Sequence, residues 1–541
     1  MGSGRIRKVG RESKMNTPTS PNPEVVGTGV RLVAVIDIGA SSIRMAIAEI
    51  DSGGQVRILE RLVQAVSVGK DTFTRRVIRK STIEECVRVL RAYQKKLKEY
   101  QFSGTDQIRV VATSAVQEAT NRLRFLDRVY IATGLTVEPI DEAEIARITY
   151  LGIQPELDAE PSFAGRTTVI AEVGGGTTDV LILKDGDVIH SHNYRLGSLR
   201  LRETIRTFRN DLSKVRSIME SHIDRTVEQI KGHAAGADIQ LLALGGDIRF
   251  ATSQLLRDEG GSVGPNKLSL NVLRDFADKL LKTSVDRIIE RYHLSLPDAE
   301  SLGPALLAYV RMAESLGAKE VLVSRFTLRD AVLNEMSARK RLLSDDFQRQ
   351  ILTSVLELGR RYSINEPHAL HVQTLAQTLY RELSEEHRLT EPKYELILRA
   401  AAVLHEVGLF ISTRGYHKHS YYLVTNGEFF GLSPSDLRLV ALVARYHRRA
   451  SPKPNHEGYS TLDRKERIIV CKLGAILRVA DALDHSRSQR IKKLQCEVAN
   501  RRLVVSVEDV EDLSLEQLEL SQKGAMFEET YGLQVLLRRV G

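Results

Sequence analysis

One local device, used twice, constrains this chain more than anything else in it. A strand ends on a carboxylate, a tight turn of glycine and small hydroxyl residues follows, and a second strand leaves. The first copy reads Val33-Ala-Val-Ile-Asp37-Ile-Gly39-Ala-Ser41-Ser42-Ile-Arg44 and the second Val169-Ile-Ala-Glu172-Val-Gly174-Gly175-Gly176-Thr177-Thr178-Asp179-Val. Glycine allows positive φ and close approach of the backbone, so turn N–H groups can point at phosphate oxygens. The Ser and Thr hydroxyls add donors. A carboxylate cannot bind phosphate directly, but it can hold Mg²⁺ or its waters, and the metal neutralises the phosphate charge. A strand follows each turn where a P-loop would have a helix. Either turn alone reads as an ordinary hairpin; two in register within matching units read as a clamp on a phosphate chain.

The surroundings match. From Arg31 to about Gln154 strand and helix alternate: Leu32 to Ile36, Met45 to Ile50, Val56 to Ser67 and Ile108 to Ala112 are strand-like, and Thr82 to Tyr100 is helical. The Pro- and acid-rich stretch Gln154 to Gly165 is expected to be a linker or exposed connection. The grammar restarts at Thr167, with strands at Val169 to Val173, Val180 to Leu183, Val188 to Tyr194 and Leu241 to Leu244, and helices after Gly197 and Leu212. Two successive α/β units predict a bilobal fold with a cleft between lobes. A His-bearing helical block follows from Asp345 to about Ser488, and Arg502 to Glu508 and Leu533 to Arg538 return to strand-like alternation. The expected divisions are residues 1–30, 31–154, 155–340, 341–490 and 491–541.

Composition is globular, with 42% hydrophobic and 27% charged residues in 541. The net charge of +9 includes +4 from Met1 to Lys14 (five basic residues against Glu12), a segment expected to be a leader, so the remainder carries 9 − 4 = +5. That excess is compatible with a polyanionic ligand. Cys86, Cys471 and Cys496 are far apart and in no metal-like spacing, which argues against a disulfide framework. No apolar run approaches the roughly 20 residues that span a bilayer. The expectation is a soluble, cytoplasmic protein.

The paired turns resemble the phosphate motifs of the actin and sugar-kinase superfamily. With Ala112-Thr-Ser-Ala115, Ile148-Thr-Tyr-Leu-Gly152, Leu244-Gly-Gly-Asp-Ile-Arg249 and the helical block, the chain resembles the exopolyphosphatase/guanosine pentaphosphate phosphatase family in its long form, from about Arg31 onward. The resemblance implies an α/β fold of two actin-like ATPase (ribonuclease H-like) lobes, an all-α HD-like domain and a small α/β C-terminal domain. It implies Mg²⁺-dependent hydrolysis of a terminal phosphoanhydride in polyphosphate or in pppGpp. Asp37, Glu172 and Asp179 would hold metal, and Ser41, Ser42, Arg44, Gly174, Gly175, Gly176, Thr177 and Thr178 would hold phosphate. A homodimer is typical of long-form relatives.

The chain departs from the family where catalysis is expected. Asp141-Glu142-Ala143-Glu144-Ile145-Ala146-Arg147 puts Ile145 at the catalytic-base position, and Ile cannot accept a proton. Ser41 stands where Asn is usual, Gln117 where Arg is, Glu172 where Asp is and Asp179 where Glu is. Two readings follow: an enzyme whose base is Glu144 or Glu142 after a helix shift, or a catalytically weak sensor or scaffold that binds polyphosphate or phosphorylated nucleotides.

In the helical block, His368, His405, Glu406 and Asp481 occur in the order of HD-domain phosphohydrolases, which implies a possible second divalent metal, with His417, His419 and His447 as phosphate donors. Glu406 replaces the usual Asp, and a purely structural role for the block fits equally. Arg445, Arg448, Arg449, Lys492, Lys493, Arg538 and Arg539 read either as solvated faces or as a groove for a long polyphosphate. Nucleic acid is disfavoured, since Trp is absent and aromatics make up 5%.

Overall fold

Val33 to Ile36 and Ile38 carry no exposed surface, the signature of a strand covered on both faces. In the computed structural model, which describes residues 30–540 apart from 103, 105–106, 206–211, 235–237, 257–263, 338–344, 385–388, 390 and 449, this run is β1 (Arg31–Ile38). Residues 1–29, which include the whole of the expected leader, and Arg449 lie outside the described residues. β2 (Ser42–Ile50) and β3 (Val56–Ala65) extend β1 as an antiparallel meander, and β4 (Ile108–Ala112) and β5 (Val137–Pro139) add parallel strands, in the order β3-β2-β1-β4-β5.

The second lobe repeats the plan. β6 (Thr167–Val173), β7 (Thr178–Lys184) and β8 (Asp187–Tyr194) form the meander, with β9 (Ile239–Leu244), β10 (Asn266–Ser269) and β11 (Glu320–Val323) completing the order β10-β11-β9-β6-β7-β8. The predicted two-lobed α/β architecture is present. Register aligns the two devices: Asp37 pairs across the hairpin with Arg44, and Glu172 with Asp179.

Alternation along the strands divides the interior. Ala34, Ile36 and Ile38 face the first lobe's own core, and Val169, Ala171 and Val173 face the second's. The opposite faces, with Val33, Val35, Ile170 and Leu181, join one core with the helix Glu142–Ala159 and the helical block. A period of two therefore sends each strand's residues alternately into the lobe and into the seam between parts. Full burial of each such Val, Leu or Ile contributes roughly 1.5–3 kcal/mol.

The helical block contains the helices Asp345–Arg361, Glu366–Ser384, Pro392–Leu404, Tyr416–Thr425, Pro434–Arg445 and Arg464–Leu483. The tail is the three-stranded sheet β12 (Leu494–Ala499), β13 (Arg502–Val507) and β14 (Gln534–Arg539), with the helices Ser514–Lys523 and Ala525–Tyr531 between β13 and β14. Among the described residues no helix is long and apolar enough to cross a membrane.

One expectation is corrected. The stretch from Gln154, read as a connection, is helical to Ala159, and the helix passes through Pro155. Pro155 lies on the exposed face, where water can satisfy the carbonyl left without its donor. Ile153 is fully buried, and Gly152 packs so closely on Phe326 that a Cβ would sit 2.0 Å from that ring. Packing outweighs the proline.

Candidate phosphate-binding cleft

Each turn is closed by the same bond, Gly39 N–H to Ser42 O at 3.0 Å and Gly174 N–H to Thr177 O at 2.8 Å. Neighbouring backbone ties down two further carbonyls in each turn. Val66 and Gly69 donate to the carbonyls of Ser41 and Ala40, and Ser198 and Leu199 to those of Gly174 and Gly175, all at 2.8 to 2.9 Å. With their carbonyls engaged behind them, the turns are free to present N–H groups to a ligand. The two turns touch: a Cβ on Gly175 would lie 3.0 Å from the Cβ of Ala40.

Between them lies a cavity of about 310 Å³. The first turn lines it with Asp37, Ser41, Ser42 and Arg44, and the second with Glu172, Gly174, Gly175, Thr177 and Asp179. Asp37 is 6% exposed; its Oδ2 accepts from Arg329 Nη1 at 3.2 Å, and its Oδ1 is buried with no protein partner. Burial raises the pKa of Glu172, and raises that of Asp179 to about 7 against the opposing bond from Asn193 Nδ2 to Asp179 Oδ1 at 2.6 Å. Asp247 is likewise pushed up to about 7 by burial and by Asp298. Such carboxylates are held in a poor solvent for their charge, and a divalent cation would relieve that. The orphaned Asp37 oxygen and the carboxylate donors therefore fit Mg²⁺.

Several expected residues are not brought to the cleft. Thr178 is wholly buried and spends its hydroxyl on the Leu196 carbonyl at 2.5 Å, so it cannot serve as a phosphate donor. Gly176 faces the Phe73 ring, 2.1 Å from where its Cβ would be, and is a packing glycine. Glu144 is turned away: Arg147 holds both its oxygens, and Arg109 stands 3.8 Å off. Ile145 lines the cleft instead. One residue along the helix rotates a side chain by about 100°, which separates the two environments.

Glu142 lines a second chamber of about 550 Å³, bounded by lobe II and by Thr425 to Phe429 and Leu437 of the helical block. That chamber shares Ile145, Glu172 and Asp179 with the cleft. In it, His192 Nδ1 meets Glu428 Oε1 at 3.0 Å, and this bond raises the His192 pKa. Burial raises that of Glu142.

Sequence reasoning missed three residues that line the cleft. Asp247 and Arg249 sit in the Gly-Gly-Asp-Ile-Arg run that had been noticed without a role, whereas Arg329 comes from a helix with no motif. Burial lowers the pKa of both Arg249 and Arg329.

In the helical block, His368, His405 and Glu406 offer ligand atoms within 4.8 Å of one another. Asp481 Oδ1 lies 3.6 Å from the Nε2 atoms of His368 and His405, and both Nε2 atoms are buried without a hydrogen-bond partner. Each of the four side chains is gripped from behind. Asp484 binds His368 Nδ1 at 2.8 Å, the Ala402 carbonyl binds His405 Nδ1 at 2.7 Å, Lys523 binds Asp481 Oδ2 at 2.7 Å and Arg487 binds Glu406 Oε1 at 2.7 Å. Against the effect of burial, Asp481 and Asp484 raise the His368 pKa to about 9. His447 bonds Ala444 O at 2.6 Å and Tyr416 OH at 3.0 Å, so both its ring nitrogens are engaged. His417 lies in a separate basic pocket with Arg445 and Arg448, and its pKa falls to about 4 through burial and those cations.

The family model described as the Ppx/GppA phosphatase family matches residues 46–340, and that of Ppx/GppA phosphatase domain III matches residues 351–524. The chain belongs to the Ppx/GppA phosphatase family. Among its Ppx/GppA relatives, the guanosine-5′-triphosphate,3′-diphosphate pyrophosphatase of Photobacterium profundum is 23% identical over 482 residues, covering 88% of this chain and 91% of that protein. The protein of the same name from Pseudoalteromonas atlantica is 24% identical over 480 residues, covering 86% and 88%. A crystal structure of an exopolyphosphatase from Cytophaga hutchinsonii superposes with a TM-score of 0.52 at 19% identity, covering 58% of this chain and all of that one, and shares the fold.

Proposed function

We propose that this Ppx/GppA protein hydrolyses a phosphoanhydride bond, releasing the terminal phosphate of pppGpp or inorganic polyphosphate with Mg²⁺. The observation that carries the reading is the contact between two glycine turns from opposite lobes, with Asp37, Glu172 and Asp179 on one small cavity and Arg44, Arg249 and Arg329 around it. The names of the relatives point the same way.

Turn N–H groups and the arginines hold the phosphates and absorb charge on their oxygens. Asp37, Glu172 and Asp179 would hold Mg²⁺, which supplies charge neutralisation and polarisation at phosphorus. A water oxygen attacks the terminal phosphorus, the bridging oxygen leaves with the electron pair, and the water proton passes to a carboxylate. Glu142 is the helix-borne candidate for that base, through the shared wall of chamber and cleft.

Ile145 on the cleft wall, with Glu144 locked to Arg147, favours a second reading: a phosphate-binding sensor or scaffold with little turnover. Phosphate release from pppGpp and from polyphosphate decides between them. An enzyme loses release in Asp37→Ala, whereas a binder shows little release until Ile145→Glu restores a base. Release unchanged by Asp37→Ala would reject the cleft.

We infer a second divalent metal at His368, His405, Glu406 and Asp481, supported by the two orphaned Nε2 atoms and the partners behind each ligand. The cysteines, all free, support a reducing, cytoplasmic setting.

A further inference from the structure

The helical block encloses a further cavity, of about 280 Å³. The first turn of the helix Tyr416–Thr425 lines it with His417 and Lys418, the end of the helix Pro434–Arg445 and the turn after it supply Arg445, Tyr446 and Arg448, and His456 closes it. It shares no lining residue with the phosphate cleft, and none of His368, His405, Glu406 and Asp481 lines it. The basic tail residues Lys492, Lys493, Arg538 and Arg539 stand outside its walls as well.

Among the described residues no carboxylate lines this pocket, and none of Lys418, Arg445 and Arg448 makes an ion pair. Arg445 donates from Nη1 to the Glu457 carbonyl at 3.1 Å and lies over the Tyr421 ring at 5.0 Å, while Arg448 lies over the Tyr416 ring at 4.7 Å. A guanidinium stacked on a ring keeps its N–H edge for an anion. The turn that carries Arg448 is held in place: the buried Arg478 donates to the carbonyls of Tyr446 and Ala450 at 2.6 and 2.5 Å. Three half-screened cations with no acid among them repel one another, and an anion in their midst removes that cost. The N-terminal end of the helix Tyr416–Thr425 adds its partial positive charge on the same side.

The two histidines complete the donor set without adding charge. Burial and the surrounding cations hold the His417 pKa down to about 4 and lower that of His456. His456 Nδ1 accepts the Lys453 backbone N–H at 3.3 Å, so the neutral ring keeps its proton on Nε2 as a donor. His417 Nδ1 is buried with no hydrogen-bond partner, and a neutral imidazole offers one donor and one acceptor in either tautomer. We infer that this pocket binds one inorganic phosphate ion, with Lys418, Arg445 and Arg448 on its oxygens, His456 as a neutral donor and His417 accepting the hydrogen of hydrogen phosphate. Sulfate carries the same charge in nearly the same shape but has no hydrogen to give, so it leaves the His417 acceptor unpaired. The cations converge on one cavity instead of following a line, which suits a compact ion better than an extended chain. The site stands on these residues whatever the chemistry of the cleft.

Calorimetric titration of the full chain with sodium phosphate near neutral pH, in EDTA and at constant ionic strength, tests it. Without a divalent cation Asp37, Glu172 and Asp179 repel phosphate from the cleft, which isolates the basic pocket. Phosphate is expected to bind at least about tenfold tighter than sulfate and within about threefold of tripolyphosphate. Arg448→Gln and Lys418→Gln should each weaken it at least about fivefold, the loss of one charge-assisted contact. Lys418 is exposed, so its variant keeps the test alive if Arg448→Gln fails to fold. Absence of binding, or affinity unmoved in both variants, overturns the site. A loss in Arg44→Gln with none in those two places the ion in the cleft and overturns it too. Sulfate bound as tightly as phosphate overturns the role of His417 and the choice of ligand, and tripolyphosphate bound more than about tenfold tighter overturns the single-ion pocket in favour of a chain groove.

Discussion

Glu144 accepts two hydrogen bonds from one guanidinium, 2.8 Å from Arg147 Nε and 2.7 Å from Nη2, on the side of its helix away from the cleft. Arg147 is 5% exposed and also pairs with Glu335, so the carboxylate belongs to a network that ties this helix to the helix Leu328–Ser337. A glutamate that sequence offers as a base is thereby a structural anchor.

Glu144→Ala should therefore act on stability. The buried guanidinium keeps Glu335 but loses its two-pronged partner, for a cost of roughly 1–3 kcal/mol. Denaturant unfolding should report that loss while phosphate release per folded molecule changes by less than about threefold, the size of effect expected away from a reacting group. A collapse of turnover at unchanged stability would return Glu144 to the active site.

Gly197 should be the least replaceable glycine near the second turn. A Cβ there would lie 2.3 Å from the Gly176 carbonyl carbon and 2.4 Å from the Gly175 oxygen, both backbone atoms that cannot swing aside. Gly197→Ala is expected to cost about 1–3 kcal/mol by overpacking and to displace the turn. Loss of nucleotide or tripolyphosphate binding, measured on the folded fraction, checks this; normal affinity would refute it.

Asp179 makes a prediction about pH. Its folded pKa is raised to about 7 from 3.8, so the folded state holds its proton longer than the unfolded state does. This group's contribution to stability therefore falls as pH rises from about 4 through 7. Asp179→Asn should be more stable than the parent above pH 7 and indistinguishable below pH 4. Because Asp179 keeps some solvent contact, about 1–2 kcal/mol is expected at pH 8, short of the full linkage value. Mg²⁺ should stabilise the parent at pH 8 more than the variant. Unfolding curves at the two pH values decide it.

The helical cluster predicts proton release on metal binding. His368 is held protonated up to about 9 by Asp481 and Asp484, and a metal must displace that proton. Calorimetry with Mn²⁺ in buffers of different ionisation enthalpy should show release near pH 7.5, with apparent affinity rising toward pH 9. His405→Ala should weaken binding at least about tenfold. Affinity equal in parent and variant would mean that the ion binds elsewhere.

The repeated turn was legible because its requirements are local: apolar runs for buried strands, a carboxylate at the strand end, glycines where backbone must approach a ligand. The set His368, His405, Glu406 and Asp481 was legible for a related reason, since order and residue type carried the resemblance. Asp484, which supports His368, lies three positions after Asp481 yet nothing in the sequence marks it, because a partner behind a ligand has no spacing rule. Arg329 could not be found at all, since its place beside Asp37 is made by a contact spanning 292 positions of sequence.

By itself, then, the sequence determined two α/β lobes, the hairpins that carry Asp37 and Glu172, and a helical block with four candidate ligands, because strand, turn and helix preferences act over a few neighbouring residues. Tertiary structure alone decided that the turns touch, that Thr178 bonds Leu196, and that Glu144 faces Arg147 while Ile145 faces the cleft. Side-chain direction follows from which face of an element is buried, and burial is settled only when distant parts of the chain pack together.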